Sequence, residues 1–487
     1  MKTPKTDTVK SKILFAVFVI FLIVIMPKIF GVTRDLITKS ANSYAGNINT
    51  IIAYIAIILT PLFAIVLARL KLSTLTSVLV AGFPLFARFS KYFNVSGYIN
   101  WQGYHIGIGG LALISPIILI YIILRYNDSG ISKVWRLSSV NWFKMIVVSG
   151  FISQFFFTSF SQALPLGYLV AIPQFTWFLV IIISVNNKTD AEKIILGIIV
   201  SIIIAILLKG TAGGVGMLDS SGLMRLSTNT LGSINQFAAV LASTLSLIPA
   251  IALRIKYRYL VIIGIISAIF IKELVMSMCR GAFVSMIPIF TYLYILDKRQ
   301  KRKFIFAATV LMFLTFSILV PDLIIYLTAR EFYFDTRMFE ITSVYNRLES
   351  STYTLNRLLT EFPNIIVGFG YGTYDNWDNA RVGGTAGVHS VHQGLLSIWA
   401  TAGLFGLIGF IGVIYNIYKS AISNWKYYTY SSQLLVGSIL LSVTSWLIFL
   451  NTTSGNYIGG QAEVYGIMTT EMGLIIALTQ KVGKEHL

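Results

Sequence analysis

The sequence predicts an all-α, polytopic transmembrane protein of about 12–14 spans with one large extracytoplasmic loop that contains helices. Hydrophobic residues make up 56% of its 487 residues and charged residues only 12%, with a mean hydropathy of +0.77. Soluble domains carry about 25% charge. Apolar runs close to the roughly 20-residue helix that crosses a bilayer core recur along the chain. Lipid is therefore the expected solvent for most of it.

Fourteen apolar runs are candidate spans. They cover residues 13–29, 49–68, 73–87, 105–124, 145–163, 165–185, 193–208, 234–253, 259–273, 281–296, 303–321, 394–417, 433–450 and 463–480. Two of them, 73–87 and 259–273, are short enough to be re-entrant or tilted segments.

The net charge of +19 indicates membrane orientation and does not point to nucleic acid, because the basic residues lie between the apolar runs. An N-terminus inside the cell places most of the 38 Lys and Arg residues in cytoplasmic loops. Both termini are therefore expected in the cytoplasm. The first run follows four lysines and is expected to be a retained signal anchor.

Charge and length divide the chain into N-terminal transmembrane helices at 1–320, a large outer loop at 321–393 and C-terminal transmembrane helices at 394–487. The loop is rich in aromatic residues and has apolar residues at helical spacing, which predicts an amphipathic helix packed on the membrane domain or lying at the interface. Its apolar positions are Ile341, Tyr345, Leu348, Leu355, Leu359 and Phe362. Pro363 is expected to stop this helix, and the glycines from Gly368 to Gly372 predict a turn of close backbone approach.

Several kinds of site are disfavoured by the composition. The single cysteine, Cys279, excludes an intramolecular disulfide and a cysteine-based metal site. No phosphate-binding loop motif occurs, so nothing indicates ATP. His389 and His392 are three residues apart, which permits a shared metal ion on a helix, but no third ligand stands at suitable spacing. No cofactor and no metal are therefore predicted.

Four arginines are placed at or near the outer face by this topology: Arg225, Arg280, Arg347 and Arg357. A single arginine at the end of a span is most simply an anchor at the lipid headgroups. Guanidinium groups also bind phosphate oxygens bidentately and keep their charge. A cluster of them would suit a lipid phosphate or diphosphate.

His392 stands where the long loop meets the next apolar run. A histidine titrates near neutral pH and can act as a general base. Surface polarity or helix capping is the simpler interpretation of one loop histidine, and both interpretations stay open at this point.

The segment from His392 and Gln393 to Gly403, Leu404, Phe405 and Gly406 resembles the histidine–asparagine and Gly-Leu-hydrophobic-Gly block of the bacterial O-antigen ligase and polymerase superfamily. Further similar elements occur in the same order. They are Arg225 with Gly232, Asn235, Gln236 and Ala238, then Ser277 to Ala282, and then Arg347, Pro363, Gly368 and Gly370. Two departures stand out: Gln393 replaces the usual asparagine, and two extra residues separate Ser277 from Arg280.

The resemblance implies a metal-independent glycosyltransferase of the cytoplasmic (inner) membrane, whose donor is an undecaprenyl-diphosphate-linked glycan and whose acceptor is a glycan or a lipid-linked molecule. His392 would be its catalytic base. Arg225, Arg280 and Arg347 would hold the diphosphate leaving group, with Arg357, Gln393 and His389 as further substrate-binding candidates. Membrane lipids are expected partners, and a chain-length regulator and a flippase would be further ones.

Three activities remain open within this interpretation. A repeat-unit polymerase of O-antigen or capsule polysaccharide is favoured, because the span count is high and Arg357 with Gly368 matches an arginine, ten residues, glycine pattern seen in some polymerases. A ligase would move the glycan to lipid A core, completing lipopolysaccharide, or to a protein. A lipid-linked oligosaccharide flippase is the alternative from another class, and Glu471 in the last run is the clearest charge inside a span.

Overall fold

The computed structural model describes residues 70–85, 99–101, 104–106, 110–125, 129–157, 160–209, 217–218, 224–225, 234–252, 257–277, 279–288, 342–360, 362–370, 393–452 and 462–481. This part of the chain is largely helical, as the composition predicts.

The helices are numbered in chain order. They are α1 (Leu72–Ala81), α2 (Gly110–Arg125), α3 (Ser129–Trp135), α4 (Ser138–Phe157), α5 (Phe160–Ser184), α6 (Lys188–Lys209), α7 (Ile234–Ala252), α8 (Tyr257–Ser277), α9 (Arg280–Ser285), α10 (Thr342–Thr360), α11 (Phe362–Val367), α12 (Gly394–Ser423), α13 (Tyr430–Thr452) and α14 (Ala462–Ile476). A 3₁₀ turn, Trp425–Tyr427, precedes α13, and a π-helical turn, Ala477–Lys481, follows α14. Two antiparallel pairs of very short strands complete this part: β1 (Ile99–Trp101) with β2 (Tyr104–Ile106), and β3 (Met217–Leu218) with β4 (Met224–Arg225).

Within the described residues, three helices are long and apolar enough to cross a membrane: Asn235–Ala252 within α7, Gly394–Ser423 and Tyr430–Thr452. Each coincides with a run in the sequence. Two shorter apolar helices, Leu72–Ala81 and Ile172–Ser184, fall in the runs 73–87 and 165–185. The run at 105–124 begins later than predicted, because β2 occupies its first residues and α2 starts at Gly110. The runs 13–29, 49–68 and 303–321 lie outside the described residues.

The core is one continuous apolar cluster shared by most of these helices. Helix α4 lies against both α5 and α12, while α7 lies against α13, and α14 contacts α5 and α13. Fully buried aromatic side chains such as Trp177, Phe178, Trp446 and Tyr465 fill the space between them. The Trp177 indole N–H donates to the Thr470 hydroxyl at 2.8 Å, so α5 and α14 are joined by a buried polar contact as well as by apolar packing.

A lysine closes one end of this bundle. The Lys481 ammonium donates to the carbonyls of Ile182, Ile183 and Val185 at 2.7–2.9 Å. The last carbonyls of a helix have no partner within it, and a cation there also complements the helix dipole. The Thr479 hydroxyl donates to Ser420 at 3.0 Å, so the C-terminal ends of α5, α12 and the π-helical turn lie at the same face. The start of α12 therefore lies at the opposite face.

Small residues allow α12 to approach α4 closely. A methyl group added at Gly409 would come within 2.9 Å of the Trp142 carbonyl, and one at Gly412 would overlap the Trp142 indole. Glycines spaced by three on one helix face are a common device for bringing helix backbones together in membranes. The glycines of α12 thus set its distance from α4.

The predicted loop helix is present as α10, but it is followed by another helix. Pro363 lies in the first turn of α11, where a proline needs no partner for its missing N–H, so it helps to start a helix as well as to end one. Three residues of the expected apolar face, Leu355, Leu359 and Phe362, are exposed. The side chains packed inward are those of Ser351, Thr354 and Leu358. The helix therefore docks by a small, partly polar face.

Candidate functional site

Helix α12 is broken near its start. Gly403 has φ 70° and ψ −177°, a conformation outside the helical region, so residues 394–402 and 404–423 form two helical pieces with a kink between them. The apolar run predicted one continuous span over 394–417. The physical reason for the difference is glycine itself, because only a residue without Cβ adopts this backbone conformation at low cost.

The glycine turn of the long loop lies against this kink. The N–H of Phe369 donates to the Ala400 carbonyl at 2.6 Å, and the indole of Trp399 donates to the Ile365 carbonyl at 2.8 Å. Gly368 has φ 79°, and a Cβ there would lie 2.7 Å from the nitrogen of Gly403. The predicted close approach of the turn is therefore confirmed, and its contact is the kink of α12.

The carbonyls freed at the kink have partners. Besides the bond from Phe369 to Ala400, the Ser153 hydroxyl donates to the Thr401 carbonyl at 2.9 Å, and the Ser149 hydroxyl donates to the Ala402 carbonyl. Three successive backbone oxygens are thereby satisfied by groups outside the helix. An unpaired carbonyl in an apolar interior would cost about 1–3 kcal/mol, so these bonds stabilise the kink.

A polar face of α4 completes this region. Ser149 and Ser153 are one helical turn apart, and Gln154 follows them, fully buried. A Cβ on Gly370, which has φ 77°, would stand 3.3 Å from the Gln154 amide. We call this assembly the helix-break cluster and define it as Ser149, Ser153 and Gln154 of α4, Gly368–Gly370 of the turn, and Ala400–Gly403 of α12.

Arg357 links α10 to the helix-break cluster. Its guanidinium lies over the Phe369 ring, 5.6 Å from the ring centroid, and its side chain is half-buried. Leu358, Phe369, Leu396 and Ala400 form a small apolar cluster next to it. Arg357 was predicted to bind substrate, and it has a packing role here in addition to any such function.

Gln393 is exposed and precedes the first residue of α12. Its side chain makes no capping hydrogen bond, while its carbonyl accepts a bond from the N–H of Ser397 at 2.8 Å. The amide thus has no capping role. In the sequence, Gln393 directly follows the predicted base His392.

The other predicted site residues belong to separate parts of the chain. His392 and His389 lie outside the described residues. The backbone places Arg225 in β4, Arg280 at the first position of α9 and Arg347 in α10. Whether the three arginines converge stays a prediction. Within the described part of the chain, no group of three or more His, Cys, Asp and Glu side chains could hold a metal ion.

Neither a scan against protein-family models nor a search of curated proteins gives a match to this chain. The family resemblance therefore rests on the motif residues alone.

The part played by α4 was not predicted from the sequence. Ser149, Ser153 and Gln154 are polar residues inside an apolar span, and the spacing of four between the serines puts them on one helix face. That spacing was the available signal. The partner of this face, a kinked helix about 250 residues away, was not indicated by any local pattern.

Proposed function

We propose that the chain is a polytopic glycosyltransferase of the bacterial cytoplasmic membrane. In this proposal it uses an undecaprenyl-diphosphate-linked glycan at the outer face and acts as a repeat-unit polymerase of O-antigen or capsule polysaccharide. The observation that carries the proposal is the contact between Gly368 and Gly403. These glycines belong to two separate elements of the resemblance, and in the fold they meet on the helix that begins two residues after His392.

The distribution of polar groups supports the orientation. Lys481 and Lys188 bind backbone carbonyls and serine hydroxyls at the end of the bundle where α12 finishes. The helix-break cluster lies towards the other end, where α12 begins. By the positive-inside rule, the end of the bundle that carries these lysines would face the cytoplasm. The helix-break cluster, towards the opposite end, would then face the outside.

The proposed chemistry needs a base and a place for a leaving group. His392 would remove the proton of the acceptor hydroxyl as its oxygen attacks the anomeric carbon of the donor, and the bond from that carbon to the diphosphate oxygen would break. Arg225, Arg280 and Arg347 would stabilise the charge that develops on the diphosphate. The leaving group is charged already, so neither nucleotide nor metal is required by this scheme.

The decisive experiment is the substitution His392→Ala in cells that lack the native gene. Loss of a general base costs a factor of about 10² to 10⁴, so glycan transfer should become undetectable at unchanged protein level. His105→Ala changes a histidine outside every element of the resemblance, so it is the control and should keep activity. Wild-type transfer by purified His392→Ala protein would refute the base assignment, and the loop carboxylates Glu349, Glu361, Asp375 and Asp378 would be tested next.

A polymerase and a ligase differ in their acceptor. Purified protein given the lipid-linked repeat unit as both donor and acceptor should form longer lipid-linked chains if it is a polymerase. Transfer only onto lipid A core or a protein acceptor would identify a ligase.

A transporter of lipid-linked glycan is the second candidate. Two observations favour it: α12 is a discontinuous apolar helix, and Glu471 is fully buried in α14. Both features are common around substrate and ion sites of transporters. Vesicles that move a fluorescent lipid-linked glycan across the bilayer without forming new glycosidic bonds would favour this candidate over the transferase.

A further inference from the structure

Glu471 lies in the interior of the bundle, where α14 meets α7 and α13. Its side chain is fully buried, and neither carboxyl oxygen has a hydrogen-bond partner among the described residues. The polar side chains that act on the carboxyl are Ser442, Ser243 and Trp446, none of them basic. A carboxylate buried without a counter-charge is among the most costly groups that a protein interior can hold.

The two helices that meet α14 here, α7 and α13, carry further buried hydroxyl groups. Ser438, Ser442 and Ser445 follow one another on one face of α13, all buried, and their hydroxyl oxygens have no hydrogen-bond partner in the described part of the chain. Thr244 of α7 is buried and unpartnered in the same way. A stripe of small residues alone would be ordinary helix packing. Unpartnered hydroxyls on the helices that pack against a buried carboxyl are not accounted for by apolar packing.

Ser243 indicates what the site can accept. Its hydroxyl hydrogen is donated to the Val240 carbonyl at 3.0 Å, so the lone pairs of its oxygen are what remain for the surroundings of Glu471. Two oxygens that present lone pairs to each other need a proton or a cation between them.

We propose that Glu471, Ser243 and Ser442 form a binding site for a small monovalent cation of the sodium class. The carboxylate supplies one negative charge and the two hydroxyls supply neutral oxygen ligands, the donor type that hard cations select. One monovalent ion leaves the site neutral, whereas a divalent ion would leave a net positive charge in an apolar interior. The Trp446 indole N–H has no other hydrogen-bond partner among the described residues, and it is available to the carboxylate.

The site is independent of the proposed transferase chemistry. It lies between α7, α13 and α14, whereas the helix-break cluster lies between α4, α12 and the glycine turn. The ion would tie together three helices that otherwise meet through apolar and small side chains.

The test is direct binding of ²²Na⁺ to the purified full-length protein in detergent, with choline chloride holding the ionic strength constant. We expect saturable binding that unlabelled Na⁺ displaces. Glu471→Gln keeps the shape but removes the charge and should abolish it. Glu273→Gln, the same change on α8 away from the junction, should bind like the wild type.

Ser442→Ala serves as a second variant that does not depend on the folding of Glu471→Gln. It removes one oxygen ligand at unchanged charge and should weaken Na⁺ binding by at least tenfold. The proposal is overturned if the wild type shows no saturable ²²Na⁺ binding, or if Ser442→Ala and Glu471→Gln both bind as the wild type does. The first result would mean that the carboxyl is neutralised by a proton alone.

Discussion

The amide of Phe369 donates a hydrogen bond to the carbonyl of Ala400 at 2.6 Å, and this bond joins the long loop to the kink of α12. The two residues belong to different elements of the chain, and both elements depend on glycines in unusual backbone conformations at this contact. Gly368 and Gly370 take positive φ on one side of the contact, and Gly403 does so on the other. The kink and the loop turn should therefore be lost together when either is disturbed.

Gly403→Ala should destabilise this contact. The added methyl would overlap the Ile366 carbonyl oxygen, and the residue would have to hold φ 70°. Backbone strain of this kind costs about 1–3 kcal/mol, and the clash adds to it. Limited proteolysis of the purified protein should show faster cleavage in α10 and α11, together with a lower Tm.

Phe405→Ala is the control for that experiment, because Phe405 is close by on α12 but its side chain is half exposed. Its cleavage pattern should match the wild type. An unchanged pattern for Gly403→Ala would mean that the loop is held by contacts other than the kink.

Gly412→Leu should separate α12 from α4. A Cβ at this position already overlaps the Trp142 ring, so a larger side chain requires backbone movement. Overpacking of a close interface costs about 1–3 kcal/mol. The expected result is a lower Tm in detergent, measured by thermal aggregation.

Ile411→Leu, one position earlier, changes an exposed side chain of the same helix and should leave the Tm unchanged. Equal Tm values for both variants would contradict the close approach of the two helices.

Arg280→Lys should reduce glycan transfer markedly while insertion into the membrane stays normal. Lysine keeps the charge but lacks the planar fork that binds two phosphate oxygens at once. Transfer in cells, normalised to protein level, is the measurement. Arg136→Lys, at an exposed turn before α4, is the matched control. Full activity of lysine and alanine variants at Arg225, Arg280 and Arg347 would remove the diphosphate-binding hypothesis.

The orientation is tested by single cysteines in a Cys279→Ser background. A cysteine at Thr352, which is exposed on α10, should react with a membrane-impermeant thiol reagent in whole cells once any outer membrane is permeabilised. One at Thr429, exposed between α12 and α13, should not react. Ser351, the neighbour of Thr352, is buried and would be a poor probe. The reverse labelling pattern would place His392 in the cytoplasm and overturn the site assignment.

The helical, apolar character of the chain follows from its amino-acid sequence alone, and the described helices agree with it. The same holds for the amphipathic helix and the glycine turn that follow one another in the long loop. These features are local: apolar composition selects helices in lipid because every backbone group must be paired within its segment, and glycine marks backbone positions that other residues avoid. Both can be inferred without knowledge of distant neighbours.

Which surfaces meet is evident only from the packed helices. Leu355 and Leu359 belong to the apolar face of α10 that was expected to pack on the membrane domain or to lie at the interface. They are exposed, whereas Thr354 and Leu358 pack inward. In the sequence, Gly403 is one more small residue in an apolar run. Its role becomes evident only in the packed structure, where the loop turn lies against it. Glu471 shows the same limit: its position in a span is evident from the sequence, but the hydroxyls around it come from helices far apart in the chain. Contacts of this kind depend on how helices are arranged in space, and no local pattern encodes that arrangement.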